Sequence, residues 1–346
     1  MKDFREFATR GYFAAANGYT GFRSYFDEVF APERYARIFV LKGGPGTGKS
    51  TLMQKFAAHF FAKGAEVDAV LCSSDSDSLD GVILGGKRRI AILDGTAPHT
   101  RDAQVPGAID ELVDLGCAWD SRRLSARREE ILALQKQKKE QYQGAYEYLS
   151  IAGHIAIKAQ RPLKEHFDAR RAREVARRLA ATAPREGACG TRLFSAFSKN
   201  GIERMGGFEP VRPTFVTGEY ESAALFLTLL SRELLRQGIP HVRYPSPLLD
   251  NRCEGVLVGG ELYLCSEDVG ELDAEEFMQL PSEGERAEYA ALTALHDRFA
   301  RRAADCFAKA SEKHFALESI YREAMDFGRL DAILQELIQK AELEME

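Results

Sequence analysis

Apolar runs alternate with glycine-rich turns in the first third of the chain. RIFVLK, from Arg37 to Lys42, reads as a short buried strand. A glycine-rich turn follows, and then TLMQKFAAHFFAK, whose apolar positions recur at helical spacing until Gly64 offers a stop. EVDAVLC reads as a second strand ending at Cys72, SSDSDSLDG as a polar loop, and RIAILD as a third strand ending at Asp94. Strand, helix, strand and strand with short links predict an α/β sheet whose first strands, at least, are parallel. From Pro106 the pattern changes. PGAIDELVDLG reads as a short helix, and a long charged helical stretch runs to Pro162, which interrupts it. LKEHFDARRAREVARRLAA reads as a second helix. Together these two predict a helical hairpin projecting from the sheet, closed by a linker at Ala183–Gly187.

The pattern then returns. YFAAANGYTGF near the start is echoed by LFSAFSKNGI (Leu193 to Ile202), and VLKGG (Val40 to Gly44) by TFVTG (Thr214 to Gly218). Single residues repeat at one offset, 174: Gly44 and Gly218, Gly64 and Gly238, Gly81 and Gly255, Gly85 and Gly259, Gly86 and Gly260, Asp94 and Asp268. The expected architecture is therefore a duplicated P-loop-type α/β parallel sheet, each copy followed by long helices. The first unit is expected over residues 1–187, with its hairpin at 106–185. The second covers 188–346, with helices at 285–346.

The turn after the first strand carries the chemistry. GGPGTGKST supplies Gly43, Gly44, Pro45, Gly46, Thr47, Gly48, Lys49, Ser50 and Thr51, a full G-x-x-x-x-G-K-[ST] motif between a strand and a helix. Glycines let backbone N–H groups turn inward around phosphate oxygens, and the following helix presents its positive end to the same charge. Lys49 is expected to reach the β- and γ-phosphates. Ser50 is expected to ligate Mg²⁺ together with Asp94, the carboxylate that ends an apolar strand. Gly95 follows Asp94, so the strand-end Asp-Glu pair that many ATPases use to activate water is absent. The nucleotide is read as ATP, with GTP second.

Comparing the copies sorts the remaining candidates. The 174 offset sets Ala223 opposite Lys49 and Ala224 opposite Ser50, so the second copy is expected to keep the fold and lose the phosphate site. Phe13 is matched by Phe194 and reads as core. Of the acidic residues after the second strand, Asp80 faces Glu254 and Asp77 faces Asn251, whereas Asp75 faces Leu249. Asp75 is thus the carboxylate specific to the first copy, a candidate to orient water or an acceptor hydroxyl. His99, opposite Asp273, either donates to the γ-phosphate or caps a turn.

The runs VLKGGPGTGKSTLMQK, CSSDSDSLDGVI, DGTAPH and PGAIDELVDLG resemble a bacterial family of duplicated P-loop ATPases, to which no substrate is assigned. The resemblance implies the duplicated fold and nucleotide binding. In that family the second copy can keep a P-loop, and here it does not.

Composition narrows the rest. Hydrophobic residues make up 45% of 346 residues, enough for a sizeable core, and a net charge of −5 does not mark a nucleic-acid binder. The basic run Arg170, Arg171, Arg173, Arg177 and Arg178 lacks interleaved aromatics and reads as a solvated helix face. Six scattered cysteines show no C-x-x-C spacing, which speaks against a zinc site or a disulfide framework. The charged start MKDFREFATR and the lack of any apolar run near ~20 residues predict a cytoplasmic protein without membrane spans. The expected activity is Mg-dependent ATP hydrolysis at one site. A small-molecule kinase and a nucleotide-sensing scaffold are the alternatives, with a protein partner or an acceptor unnamed.

Overall fold

A computed structural model describes residues 4–204, 213–266 and 270–345. In chain order the first half contains β1 (Arg10–Phe13), β2 (Ala15–Gly18), β3 (Gly21–Ser24), α1 (Phe26–Val29), β4 (Arg37–Lys42), α2 (Lys49–Ala62), β5 (Val67–Cys72), β6 (Asp75–Leu84), β7 (Ile90–Asp94) and β8 (Asp110–Asp114). The helices α3 (Ser121–Ala126), α4 (Arg128–Leu163) and α5 (Ala169–Thr182) follow. The second half repeats the plan: β9 (Gly190–Thr191), β10 (Ser195–Ser198), β11 (Gly201–Arg204), β12 (Thr214–Thr217), α6 (Ser222–Arg236), β13 (Val242–Pro245), β14 (Cys253–Val258), β15 (Glu261–Cys265) and β16 (Leu272–Asp273), then α7 (Glu283–Glu323) and α8 (Phe327–Met345).

Each copy builds a six-stranded sheet in the same order. The first runs β8-β4-β7-β6-β5-β1 and the second β16-β12-β15-β14-β13-β9. In both, five strands run parallel and the fourth, β6 or β14, is antiparallel to both neighbours. The hairpin β2–β3 recurs as β10–β11, which explains the echo of YFAAANGYTGF in LFSAFSKNGI. Strands β4, β5 and β7 are buried on both faces, so they read as continuous apolar runs.

Two local expectations are corrected. SSDSDSLDG is not a loop: Asp75–Leu84 is one ten-residue strand, with a polar, half-exposed end and a buried end from Leu79 onward. Its apolar half, Gly81–Leu84, is hydrogen-bonded to β5 and β7 on both sides, and its Asp- and Ser-rich half is carried along beside β5, against its weak strand preference. PGAIDELVDLG is not a helix. Asp110–Asp114 forms the edge strand β8 beside β4, and Asp114 then caps the 3-10 turn Leu115–Ala118 through the Gly116 N–H (2.8 Å). Five residues between a glycine turn and a cap are too few to sustain a helix against an open sheet edge.

The helices after each copy are long, as expected, but they find different partners. α4 lies antiparallel along α7: Ile131 packs with Leu317 and Ile320 at one end, and Ala145 and Leu149 pack with Ala303 and Phe307 further along. The short helices are exchanged. Ala172, Ala176 and Ala180, one face of α5 at four-residue spacing, pack into the core of the second copy with Phe226 and Leu230 of α6. Leu330, Leu334, Leu337 and Ile338 of α8 close the core of the first copy with Phe39, Leu52 and Phe56. Each such aliphatic side chain contributes roughly 1.5–3 kcal/mol on burial, so each sheet depends on a helix that follows the other. Pro162 stays within the last turn of α4. Among the described residues no helix is long and apolar enough to cross a membrane.

Candidate functional site

The carboxyl ends of β4 and β7 open into a crevice of about 760 Å³ whose floor is the P-loop. Gly46 (φ 69°) and Gly48 (φ 79°) take left-handed backbone that side chains resist, and Gly48 is the N-cap of α2. Lys49 is therefore the first helical residue, and its Nζ donates to the carbonyls of Gly43 (3.0 Å) and Gly44 (2.8 Å). It also lies 3.6 Å from Asp94 Oδ2. The Thr47 hydroxyl ties the loop back to Gly44 O (2.9 Å).

Ser50 and Asp94 line the same crevice. The Ser50 hydroxyl accepts the Leu79 N–H (3.0 Å), while Asp94 Oδ1 accepts from the backbone and hydroxyl of Thr96 (2.9 and 2.6 Å). A hydroxyl and a carboxylate are hard oxygen donors of the kind Mg²⁺ takes when phosphates and water complete its shell, so the pair fits that ion. Among the described residues no cluster of three or more His, Cys, Asp or Glu could hold a metal without such help.

The other sequence candidates separate in space. Asp75 borders the crevice, where burial raises its pKa and Lys199, 3.8 Å away, opposes the rise. Asp77 is exposed and paired with Arg5 (2.8 Å). Asp80 is buried and holds His99 Nε2 at 2.9 Å, and the imidazole stacks on Phe26 (centroids 4.5 Å apart). Burial disfavours the charged His99 ring, but Asp80 and then Asp94 outweigh it and leave its pKa raised. His99 thus lines the crevice with Nε2 paired to Asp80, while its buried Nδ1 has no hydrogen-bond partner among the described residues.

Sequence reasoning missed the roof of the site. Lys138 and Tyr142 of α4, Lys199 from the β10–β11 hairpin, and His314, Glu318 and Arg322 of α7 all face the P-loop crevice. Glu318 packs directly against the loop at Gly46, and the neighbouring His314 holds its carboxyl below the usual range. The roof is close: a Cβ at Gly46 would lie 2.4 Å from Glu318 O, and one at Gly48 2.9 Å from Leu330. These residues come from chain segments 90 to 280 positions away, and only the amphipathic spacing of α7 hinted at a packed face.

Strand and hairpin register fix the counterparts in the second copy, and four assignments change. Leu41 pairs with Asp94 and Val113, and Val216 pairs with Cys265 and Leu272. Cys265 therefore stands where Asp94 does, and Asp268, the residue given by the constant offset, lies outside the described residues. Lys42 and Gly48 are six positions apart, whereas Thr217 and Glu221, the matching strand end and left-handed N-cap (φ 67°), are four apart. The loop is two residues shorter, so Ser222 faces Lys49 and Ala223 faces Ser50. No lysine stands at the lysine position and no hydroxyl at the metal position. On the β6 and β14 strands the offset holds, and Glu254 matches Asp80; Leu249, opposite Asp75 by the offset, lies in the turn before β14. The hairpins match at Ala15 and Ser195, so the counterpart of the buried Phe13 is Leu193 rather than Phe194.

The basic face of α5 is largely paired with acids: Arg171 with Glu276 (2.8 Å), Arg170 with Glu174 (3.5 Å) and Arg173 with Glu233 (3.4 Å).

Residues 23–105, which carry β4, the P-loop and the strands through Asp94, match the family model of the methylmalonyl-CoA mutase-associated GTPase MeaB. No curated protein and no solved structure matches the chain. With the P-loop geometry, that match makes the first copy a nucleotide-binding P-loop unit of the NTPase kind.

Proposed function

We propose that the chain is a Mg-dependent nucleoside triphosphatase with one working site, built on the first copy and roofed by the antiparallel helices α4 and α7. The observation that carries this reading is Lys49 at the first position of α2, beneath a glycine loop and 3.6 Å from Asp94. In this reading the loop amides and Lys49 hold the phosphates, Ser50 and Asp94 hold Mg²⁺, and Asp75 orients the attacking group. The ion, when bound, supplies charge neutralisation between the β- and γ-phosphates. The resemblance to duplicated ATPases favours ATP, while the family-model match is to a GTPase and favours GTP. A protein partner is part of the reading, since MeaB is described as mutase-associated.

The helices give hydrolysis something to act on. The first crevice is roofed by Lys138 and Tyr142 of α4 and by the C-terminal half of α7, and the matching crevice of the second copy by Gly153 to Gln160 of α4 and Tyr289 to Asp297 of α7. One helix pair thus spans both crevices, so a phosphate-driven shift at one end moves the roof at the other. The two units, 1–187 and 188–346, are read as products of duplication in which one kept the phosphate chemistry.

A second reading, transfer to an acceptor hydroxyl, rests on Asp75 at the crevice edge. Turnover of ATP and GTP with Mg²⁺, with and without candidate acceptors, separates the two readings. Hydrolysis that is absent in Lys49→Ala and Ser50→Ala supports the first. Phosphate release only with an acceptor supports the second, and wild-type turnover in both variants contradicts both.

A further inference from the structure

Lys138 sits in the first third of α4, one turn before Tyr142, and both side chains line the P-loop crevice. It is half-buried, and its ammonium makes one hydrogen bond, to His314 Nδ1 at 3.3 Å. No carboxylate of the described residues lies within ion-pair distance of it. His314 in turn reaches Glu318 (3.5 Å), which packs against Gly46 of the phosphate loop. A chain of three side chains therefore runs from α4 through α7 to the edge of the loop.

This arrangement is electrostatically incomplete. Desolvation disfavours the charged form of Lys138, the Glu318 carboxylate partly offsets this, and the Lys49 charge presses against it. Two ammonium groups facing one partly desolvated crevice repel each other, and their best partner is an anion placed between them. Lys49 serves the loop and Lys138 comes from the roof, so that anion lies on the outer side of the bound phosphates.

We propose that Lys138 is a second phosphate-binding cation, delivered by α4, that contacts the terminal phosphate of a nucleoside triphosphate and so makes the site discriminate triphosphate from diphosphate. The inference rests on the P-loop reading and adds the device that senses the γ-phosphate. When the phosphate arrives, Lys138 exchanges the ring nitrogen of His314 for a phosphate oxygen. When it leaves, α4 loses that tether. The nucleotide state is thereby written into the helix whose other half roofs the second crevice.

The test is equilibrium binding rather than turnover. Affinities for non-hydrolysable triphosphate analogues of adenosine and guanosine, and for ADP and GDP, are measured with Mg²⁺ for wild type, Lys138→Met and Lys138→Arg. Lys138→Met is expected to lose roughly 10- to 100-fold in triphosphate affinity, the size of one charge-assisted hydrogen bond, with diphosphate affinity unchanged. Lys138→Arg is expected to restore most of the preference. Equal loss on both nucleotides, or no loss on either, overturns the proposal. Lys49→Ala separates the two levels, because it should weaken diphosphate and triphosphate alike. If it does and Lys138→Met changes nothing, the P-loop reading stands and the Lys138 proposal fails. If wild type binds none of the four nucleotides, both fall.

Discussion

Phe13 and Leu193, equivalent positions in the two copies, exchange both backbone hydrogen bonds: Phe13 N–H to Leu193 O at 3.0 Å and Leu193 N–H to Phe13 O at 2.9 Å. A residue paired with its own counterpart marks the axis about which the copies face each other. The exchanged helices follow the same logic, with α5 in the second core and α8 in the first.

A chain ending at residue 187 should therefore fail to fold. It would lack α8 and bare the apolar surface that Leu330, Leu334, Leu337 and Ile338 cover. Circular dichroism and denaturant titration of that fragment should show no cooperative transition, or the fragment should aggregate. A soluble monomer that unfolds cooperatively would refute the exchange.

How much of this was legible in the sequence divides along local and distant contacts. The P-loop, its strand and its helix were readable because glycines, lysine and apolar spacing all act within a dozen residues. β6 was not, because its Asp- and Ser-rich start is extended only by pairing beside β5 and by the buried half that follows, and the β7 partner of that half is not local. The repeat was visible through glycines at turns. The constant offset nonetheless misplaced the counterparts of Lys49 and Asp94, because the second copy is shorter in the loop before α6 and in the link between β14 and β15, and no single residue announces a deletion. The roof residues Lys138, His314 and Glu318 were silent, since a charged residue on a charged helix looks solvated until its partner helix is placed.

Glu318 should oppose nucleotide entry. It lines the crevice against Gly46 of the phosphate loop, where its charge repels phosphate. Glu318→Gln keeps the shape and removes the charge, and is expected to tighten nucleotide binding several-fold to about tenfold. Calorimetric titration checks this, and weaker binding would show that Glu318 supports the site instead.

Asp75→Asn should leave nucleotide affinity intact and lower turnover by ~10²–10⁴, the range for loss of a group acting on the nucleophile. By the constant offset Leu249 stands opposite Asp75, and Asp75→Asn keeps the size of the side chain while removing its charge. Side-by-side binding and rate measurements decide it. Unchanged turnover would leave Asp75 only as the partner of Lys199.

Stability should fall as pH rises through the window set by Glu254. Burial pushes this carboxyl up to about 7, and the Ser195 hydroxyl donates to it at 2.5 Å. Between the ordinary carboxyl range and 7 the folded chain keeps a proton that the unfolded chain has released, so each step upward costs stability, in total roughly 1–3 kcal/mol. Glu254→Gln should be the more stable form at pH 8 and should lose that slope. Parallel denaturation curves for the two proteins from pH 5 to 8 would expose an error.

The central claim is that one P-loop holds one nucleotide in a chain that carries the fold twice. Calorimetric titration of the full chain with Mg²⁺ and a non-hydrolysable triphosphate analogue tests it most directly. The account predicts one nucleotide per chain for wild type and none for Lys49→Ala. Two nucleotides per chain, or one that survives Lys49→Ala, would contradict it.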